Sequence, residues 1–136
     1  MAEKAFTLEI VTPKKLVFSG EITSFSAPGV VGGFQVLKNH APLLSSIGVG
    51  EVKLVDLAGN ESRYAASGGV VEVHDNKVVM LAETAERSDE IDVVRAQAAR
   101  DRARKRLAEK KSEIDVDRAR LALFRALNRL KVADQL

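Results

Sequence analysis

Ser112-Glu113-Ile114-Asp115-Val116-Asp117-Arg118-Ala119 repeats a pattern met earlier, at Ser88-Asp89-Glu90-Ile91-Asp92-Val93-Val94-Arg95-Ala96. Both stretches set a capping side chain and acids where the free N–H groups and positive dipole end of a helix favour them. Ser112 with Asp115 three residues on is a capping-box variant. Nothing breaks the helices that follow, because all nine glycines and all three prolines precede Val70. The pattern predicts a helix over about residues 89–110, a tight turn near 111–112 and a second helix over about 113–132.

The faces of these helices indicate what they do. In the second, Val116, Ala119, Leu123, Ala126 and Leu130 recur at helical steps and form one apolar stripe. The first offers Ile91, Val94, Ala98 and Leu107, a narrow seam rich in small residues. Since burial contributes roughly 25 cal/mol per Å2, such a seam holds its partner weakly. Arg95 and Arg102 share a side of the first helix, and Arg125 and Arg129 share a side of the second. An antiparallel hairpin closed near 111–112 sets Arg95 level with Arg129, and Arg102 within about a turn of Arg125. Four guanidinium groups with few acids between them suit a polyanion, because each fork takes phosphate oxygens in pairs. The other reading is a solvated basic face with ordinary surface ion pairs.

Composition divides where the pattern does. Residues 1–86 carry 7 basic and 10 acidic side chains, whereas residues 87–136 carry 14 and 9, so an acidic part precedes a basic one. We therefore expect two domains, 1–86 and 87–136. No cysteine is present, which excludes a disulfide framework, a thiolate nucleophile and a cysteine zinc site. No apolar run suits a signal peptide or a membrane span, so membrane work would need a partner.

Residues 6–83 read as short strands between turns. Phe6, Leu8 and Ile10 alternate with Thr7 and Glu9. Leu16-Val17-Phe18 is followed by Ser19-Gly20 and a strand from Glu21 to Ser26. Phe34 to Leu37 runs between Gly32-Gly33 and the loop Asn39-His40-Ala41-Pro42. Gly48 to Leu57, Tyr64 to Ser67, Gly69 to His74 and Lys77 to Leu81 complete the set, the last two joined across Asp75-Asn76. Strands at this spacing, with no crossover helix, predict an antiparallel β-sandwich or barrel. The fold class is thus mainly β plus α: a sandwich followed by a two-helix antiparallel hairpin.

Candidate chemistry in the first half is thin. The histidines are His40 and His74, with nothing to complete a metal site. Pro28-Gly29-Val30-Val31-Gly32-Gly33 lacks the Lys-Ser/Thr of a phosphate loop, and its glycines suit turns instead. With no nucleophile and base to pair, the chain reads as a non-catalytic protein with no metal site.

A resemblance follows from these residues. Pro28-Gly29 through Gly33, then Val36-Leu37-Lys38-Asn39-His40-Ala41-Pro42-Leu43-Leu44 and Gly50, resembles the epsilon subunits of bacterial F-type ATP synthases. So do Ser67-Gly68-Gly69-Val70-Val71-Glu72-Val73, Asn76-Lys77-Val78, Leu81-Ala82-Glu83 and Ala85-Glu86, ahead of Ile91-Asp92. The likeness spans nearly the whole chain, with its motifs in order; Lys38 departs from a position where the family often has proline.

The resemblance implies a β-sandwich that clamps the gamma subunit and rests on the rotor ring of c subunits, coupling ion flow to ATP synthesis. The chain would then sit peripherally on the cytoplasmic face of the bacterial cell membrane. It implies that the loop of His40 lies near the rotor contact. It implies a mobile hairpin that permits turnover when folded and inhibits ATP hydrolysis when extended toward the alpha/beta catalytic head. In one branch of the family the folded hairpin binds ATP as a regulatory ligand through Ile/Leu-Asp-x-x-Arg-Ala. Ile91-Asp92-Val93-Val94-Arg95-Ala96 matches this motif, and the branch's further acid and arginines are similar to Glu86, Arg102, Arg125 and Arg129. Ile114 to Ala119 has the same spelling, but the first copy directly follows Ala85-Glu86. The expected ligand is ATP, alone or with Mg2+. The alternative is a basic nucleic-acid-binding module, which the single tail aromatic, Phe124, and the interspersed acids disfavour.

Overall fold

The computed structural model describes residues 4–109 and 112–135. It divides into two compact units, parting between Arg87 and Ser88.

The first unit holds seven strands: β1 (Phe6–Val11), β2 (Leu16–Ala27), β3 (Phe34–Val36), β4 (Leu43–Asp56), β5 (Glu61–His74), β6 (Lys77–Ala82) and β7 (Ala85–Arg87). Strands run in the order β1-β6-β5-β4-β2-β3, and β1 also pairs with β2, so five of them close into a ring. Closure leaves only the short strands β3 and β7 off the ring, which limits exposed edges. Pairing is antiparallel except at β1–β6, where Leu8 lies against Val78 and Ile10 against Met80 in parallel register. The intervening hairpins, rather than a crossover helix, carry the chain between these two parallel strands.

The alternation in β1 does what its spacing predicts. Phe6, Leu8 and Ile10 are buried, together with Ile22, Phe25, Leu54, Val71, Val78 and Met80 inside the ring. Two expected breaks are absent. Ser19-Gly20 lies within the continuous strand β2, where Leu8 pairs with Gly20. Tyr64 to Ser67 and Gly69 to His74 form one strand that bends at Gly68 (φ 76°) and Gly69 (φ 144°). Those two glycines let β5 change partners, from β7 at Tyr64–Ala66 to β6 at Gly69–His74. β4 starts at Leu43, five residues before the expected Gly48, because Leu43 to Ile47 pairs with Val73 to Gly69. Asp75 and Asn76 both take positive φ, 49° and 58°, as the tight β5–β6 turn requires.

The second unit consists of a 3-10 turn (Ser88–Glu90), α1 (Val93–Glu109) and α2 (Glu113–Val132), with the helices packed together. Residues 110 and 111, the centre of the expected turn, lie outside the described residues. α1 begins after Asp92 rather than near 89, because the Asp92 carboxylate accepts the Arg95 N–H at 3.0 Å and caps the helix. α2 is capped by Ser112, whose hydroxyl accepts the Asp115 N–H at 3.2 Å, as expected. It ends without glycine. Asp134 takes the left-handed conformation (φ 59°), and the Gln135 N–H donates to the Leu130 carbonyl at 2.8 Å, closing a Schellman motif.

The seam of α2 is close to expectation, with Ala119, Ala126 and Leu130 buried and Val116 and Leu123 half-buried. The first seam holds in part: Ile91 is buried and Leu107 half-buried as expected, but Val94 is 76% exposed and Ala98 exposed, while Ala96 and Ala103 are buried. Alanine occurs on several sides of α1, so hydrophobic periodicity could not set its phase. Among the described residues, no helix is long and apolar enough to cross a membrane.

Candidate functional site

The corrected seam fixes which flank of the hairpin carries the arginines. With about 100° per residue, Arg95 and Arg102 lie on one flank of the Ala96–Ala103 line. Arg125 and Arg129 stand in the same relation to Ala126 and Leu130. In an antiparallel pair these two flanks form one face. Arg95, Arg102 and Arg125 are exposed, and Arg129 is half-buried.

The sequence reading missed two members of this face. Arg106 follows Arg102 by four residues and Arg118 precedes Arg125 by seven, so each continues its row. The structure brings these two together, since Arg106, Glu109, Asp115, Arg118 and Ala119 line one groove of about 270 Å3. Their spacing becomes a signal once the buried line of α1, Ala96 and Ala103, is known. Acids largely keep away from the middle of the face. Asp101 pairs with Arg100 at 3.0 Å and Asp117 with Arg120 at 3.3 Å, and by phase both acids point away from the arginine rows.

The remaining motif residues have local structural roles. Asp92 caps α1, and its backbone carbonyl accepts the Ala96 N–H at 3.0 Å. Ala96 is fully buried on the seam, where a larger side chain would separate the helices. Ile91 is 8% exposed, whereas its counterpart Ile114 is 66% exposed, so only the first copy of the motif buries its leading isoleucine. Glu86 lies half-buried in β7 of the other unit, opposite Ala65.

His40 occupies the loop between β3 and β4. Its N–H donates to the Leu37 carbonyl at 3.2 Å, and its Nδ1 lies 2.7 Å from the Ala41 carbonyl oxygen. Next to it, Asn39 (φ 65°) is tied to the β5–β6 turn. The Asn39 N–H donates to Asn76 Oδ1 at 2.6 Å and Asn76 Nδ2 donates to Asn39 Oδ1 at 3.1 Å. The loop is therefore braced. In the β2–β3 loop, Val30 and Val31 are 65% and 99% exposed, an apolar pair at the surface of this unit.

Residues 5–88 match the family model described as the beta-sandwich domain of the ATP synthase delta/epsilon chain, and residues 89–134 match its long alpha-helix domain. The chain is 53% identical over 135 residues to a protein named ATP synthase epsilon chain from Pelotomaculum thermopropionicum, covering 99% of this chain and 100% of the relative. It is 50% identical over 131 residues to the epsilon chain of Desulforamulus reducens, covering 96% and 98%. Two solved structures share the fold at low identity. One is a chain of the Euglena gracilis mitochondrial ATP synthase (OSCP/F1/c-ring), with TM-score 0.72, 17% identity, and coverage of 96% of this chain and 78% of that one. The other is from the Tetrahymena thermophila mitochondrial ATP synthase (central stalk/c-ring), with TM-score 0.62, 12% identity, and coverage of 93% and 95%. This chain belongs to the delta/epsilon chain family of ATP synthases.

Proposed function

We propose that this chain is the epsilon subunit of the central stalk of a bacterial rotary ATP synthase, and that its hairpin is an ATP-sensing arm that restrains ATP hydrolysis. The β-barrel unit binds the gamma subunit and seats on the ring of c subunits, at the cytoplasmic face of the membrane. The chain itself turns over nothing. The observation that carries the regulatory part is the arginine face, built from both helices around a seam of alanines. A triphosphate bridging Arg95 and Arg102 to Arg125 and Arg129 joins two helices whose own contact is thin. A ligand held only by the folded hairpin stabilises it by about 2.7 kcal/mol at 100-fold excess over Kd. Losing that contribution at low ATP releases the arm, which then reaches the alpha/beta head and blocks hydrolysis.

Reconstitution tests this. Added to a catalytic head with gamma but no epsilon subunit, the chain is expected to inhibit ATP hydrolysis at low ATP and to lose that effect as ATP rises. A chain ending at Arg87 is expected to bind without inhibiting. Inhibition that is equal at all ATP concentrations would remove the sensing role.

The rotor contact is open to a separate test. An exposed apolar pair at a loop tip marks a docking surface, and Val30-Val31 is such a pair beside the barrel. Val31→Asp is expected to leave thermal stability within about 0.5 kcal/mol of the parent, as exposed substitutions do, while weakening assembly with membranes that carry the c ring. Unchanged assembly would place the ring contact elsewhere, with the His40 loop the next candidate.

A further inference from the structure

Apolar burial is spread unevenly along the hairpin. Ala96, Ala103, Ala119 and Ala126 line its seam, each 2% exposed or less. Among the described residues of this unit, the buried apolar side chains larger than alanine are Ile91, Leu130 and Val132, at 8%, 0% and 0% exposure. Ile91 lies just before α1, and Leu130 and Val132 lie in the last turn of α2. In an antiparallel pair these positions share one end, the open end away from the turn. Toward the turn, Leu107 and Val116 are half-buried and Ile114 is 66% exposed. A buried leucine, isoleucine or valine removes far more apolar surface from water than an alanine does. Most of the burial that closes the hairpin therefore sits at its open end. The backbone holds it in shape, since the Gln135 N–H donates to the Leu130 carbonyl and fixes the turn that carries Leu130 and Val132.

From this distribution we infer that Ile91, Leu130 and Val132 form an apolar latch at the open end of the hairpin, which sets how much ATP is needed to keep the arm folded. The latch rests on the reading of the hairpin as an arm that opens and is held shut by ATP. Helices joined at a turn part by separating their open ends, so burial there is lost first and most completely. The alanines nearer the turn add little resistance. The latch thus fixes the folded fraction before any ligand arrives. A ligand that binds only the folded form has its apparent affinity scaled by that fraction, so a weaker latch demands more ligand.

Backbone hydrogen exchange of the full chain without ATP tests the latch, because amides of α2 exchange when the hairpin opens. Leu130→Ala is expected to speed that exchange by at least about thirty-fold, and Val132→Ala, a milder truncation, by about ten-fold. Leu107→Ala is the same deletion near the turn and is expected to speed it by less than about five-fold. Amides of the barrel strands serve as an internal reference and should not change. In a complex reconstituted with the catalytic head and gamma, Leu130→Ala and Val132→Ala are both expected to need about ten-fold more ATP, or beyond, for half-relief of inhibition. Equal acceleration by Leu130→Ala and Leu107→Ala overturns the latch, as does acceleration that extends to the barrel. The expected ranking in exchange, together with inhibition that ATP does not relieve even in the parent, overturns the sensing reading instead.

Discussion

Gly69→Ala is expected to destabilise the β-barrel unit by about 3 kcal/mol or more, combining backbone strain with overpacking. Gly69 has φ 144°, a conformation that side-chain-bearing residues rarely adopt. A Cβ built there would also fall on the Leu81 carbonyl oxygen and within 2.8 Å of the Ala82 Cα. Both neighbours are backbone of β6, so relief means opening the β5–β6 ladder where Gly69 pairs with Ala82. Gly68→Ala is the control. Its φ of 76° carries a cost of roughly 1–2 kcal/mol, but the nearest group to its Cβ is the flexible Glu83 side chain at 3.5 Å. Denaturant unfolding of the three proteins is expected to rank them parent, Gly68→Ala, Gly69→Ala. Equal stability of the two variants would mean that the close approach of β6 contributes nothing.

Arg95→Ala is expected to weaken ATP binding by about 100-fold, the loss of one bidentate, charge-assisted phosphate contact of roughly 3 kcal/mol. The helix itself should survive, because Asp92 caps α1 through the backbone N–H of Arg95 and not through its side chain. Arg120→Ala makes the matched control. Arg120 also projects from the hairpin, but on the opposite flank and beside Asp117, so ATP affinity should not move. Calorimetry with each variant reads the difference, and equal losses would show that ATP responds to net charge rather than to the arginine face. A consequence reaches the intact machine: with Arg95→Ala, inhibition of hydrolysis should persist at ATP concentrations that relieve the parent.

Much of this architecture was legible in local chemistry. Alternation in Phe6-Thr7-Leu8-Glu9-Ile10 and the Asp75-Asn76 turn marked strands and a hairpin that the structure contains. The glycine- and proline-free tail with two capped starts marked the helical hairpin. Glycine was the main source of error, because it serves both to break a strand and to bend one. Gly20, Gly68 and Gly69 stay inside strands since distant partners, Leu8 for Gly20 and Ala82 for Gly69, hold them there. Parallel pairing of β1 with β6 joins the first and sixth strands of the chain and leaves no local trace. In α1 the phase of the seam was hidden by alanines on several sides, and with it the full extent of the arginine rows. Once Ala96 and Ala103 are known to be buried, Arg106 and Arg118 follow from spacing.

A folded hairpin that receives ATP is tested most directly by calorimetric titration of the isolated chain with ATP, with GTP as control. A saturable tight site for one ATP per chain, weaker binding of GTP, and a hairpin that melts at a higher temperature with ATP bound are expected. Heats no larger than those of dilution at millimolar ATP would contradict this binding, leaving the arginine face as a contact for acidic surfaces of the catalytic head.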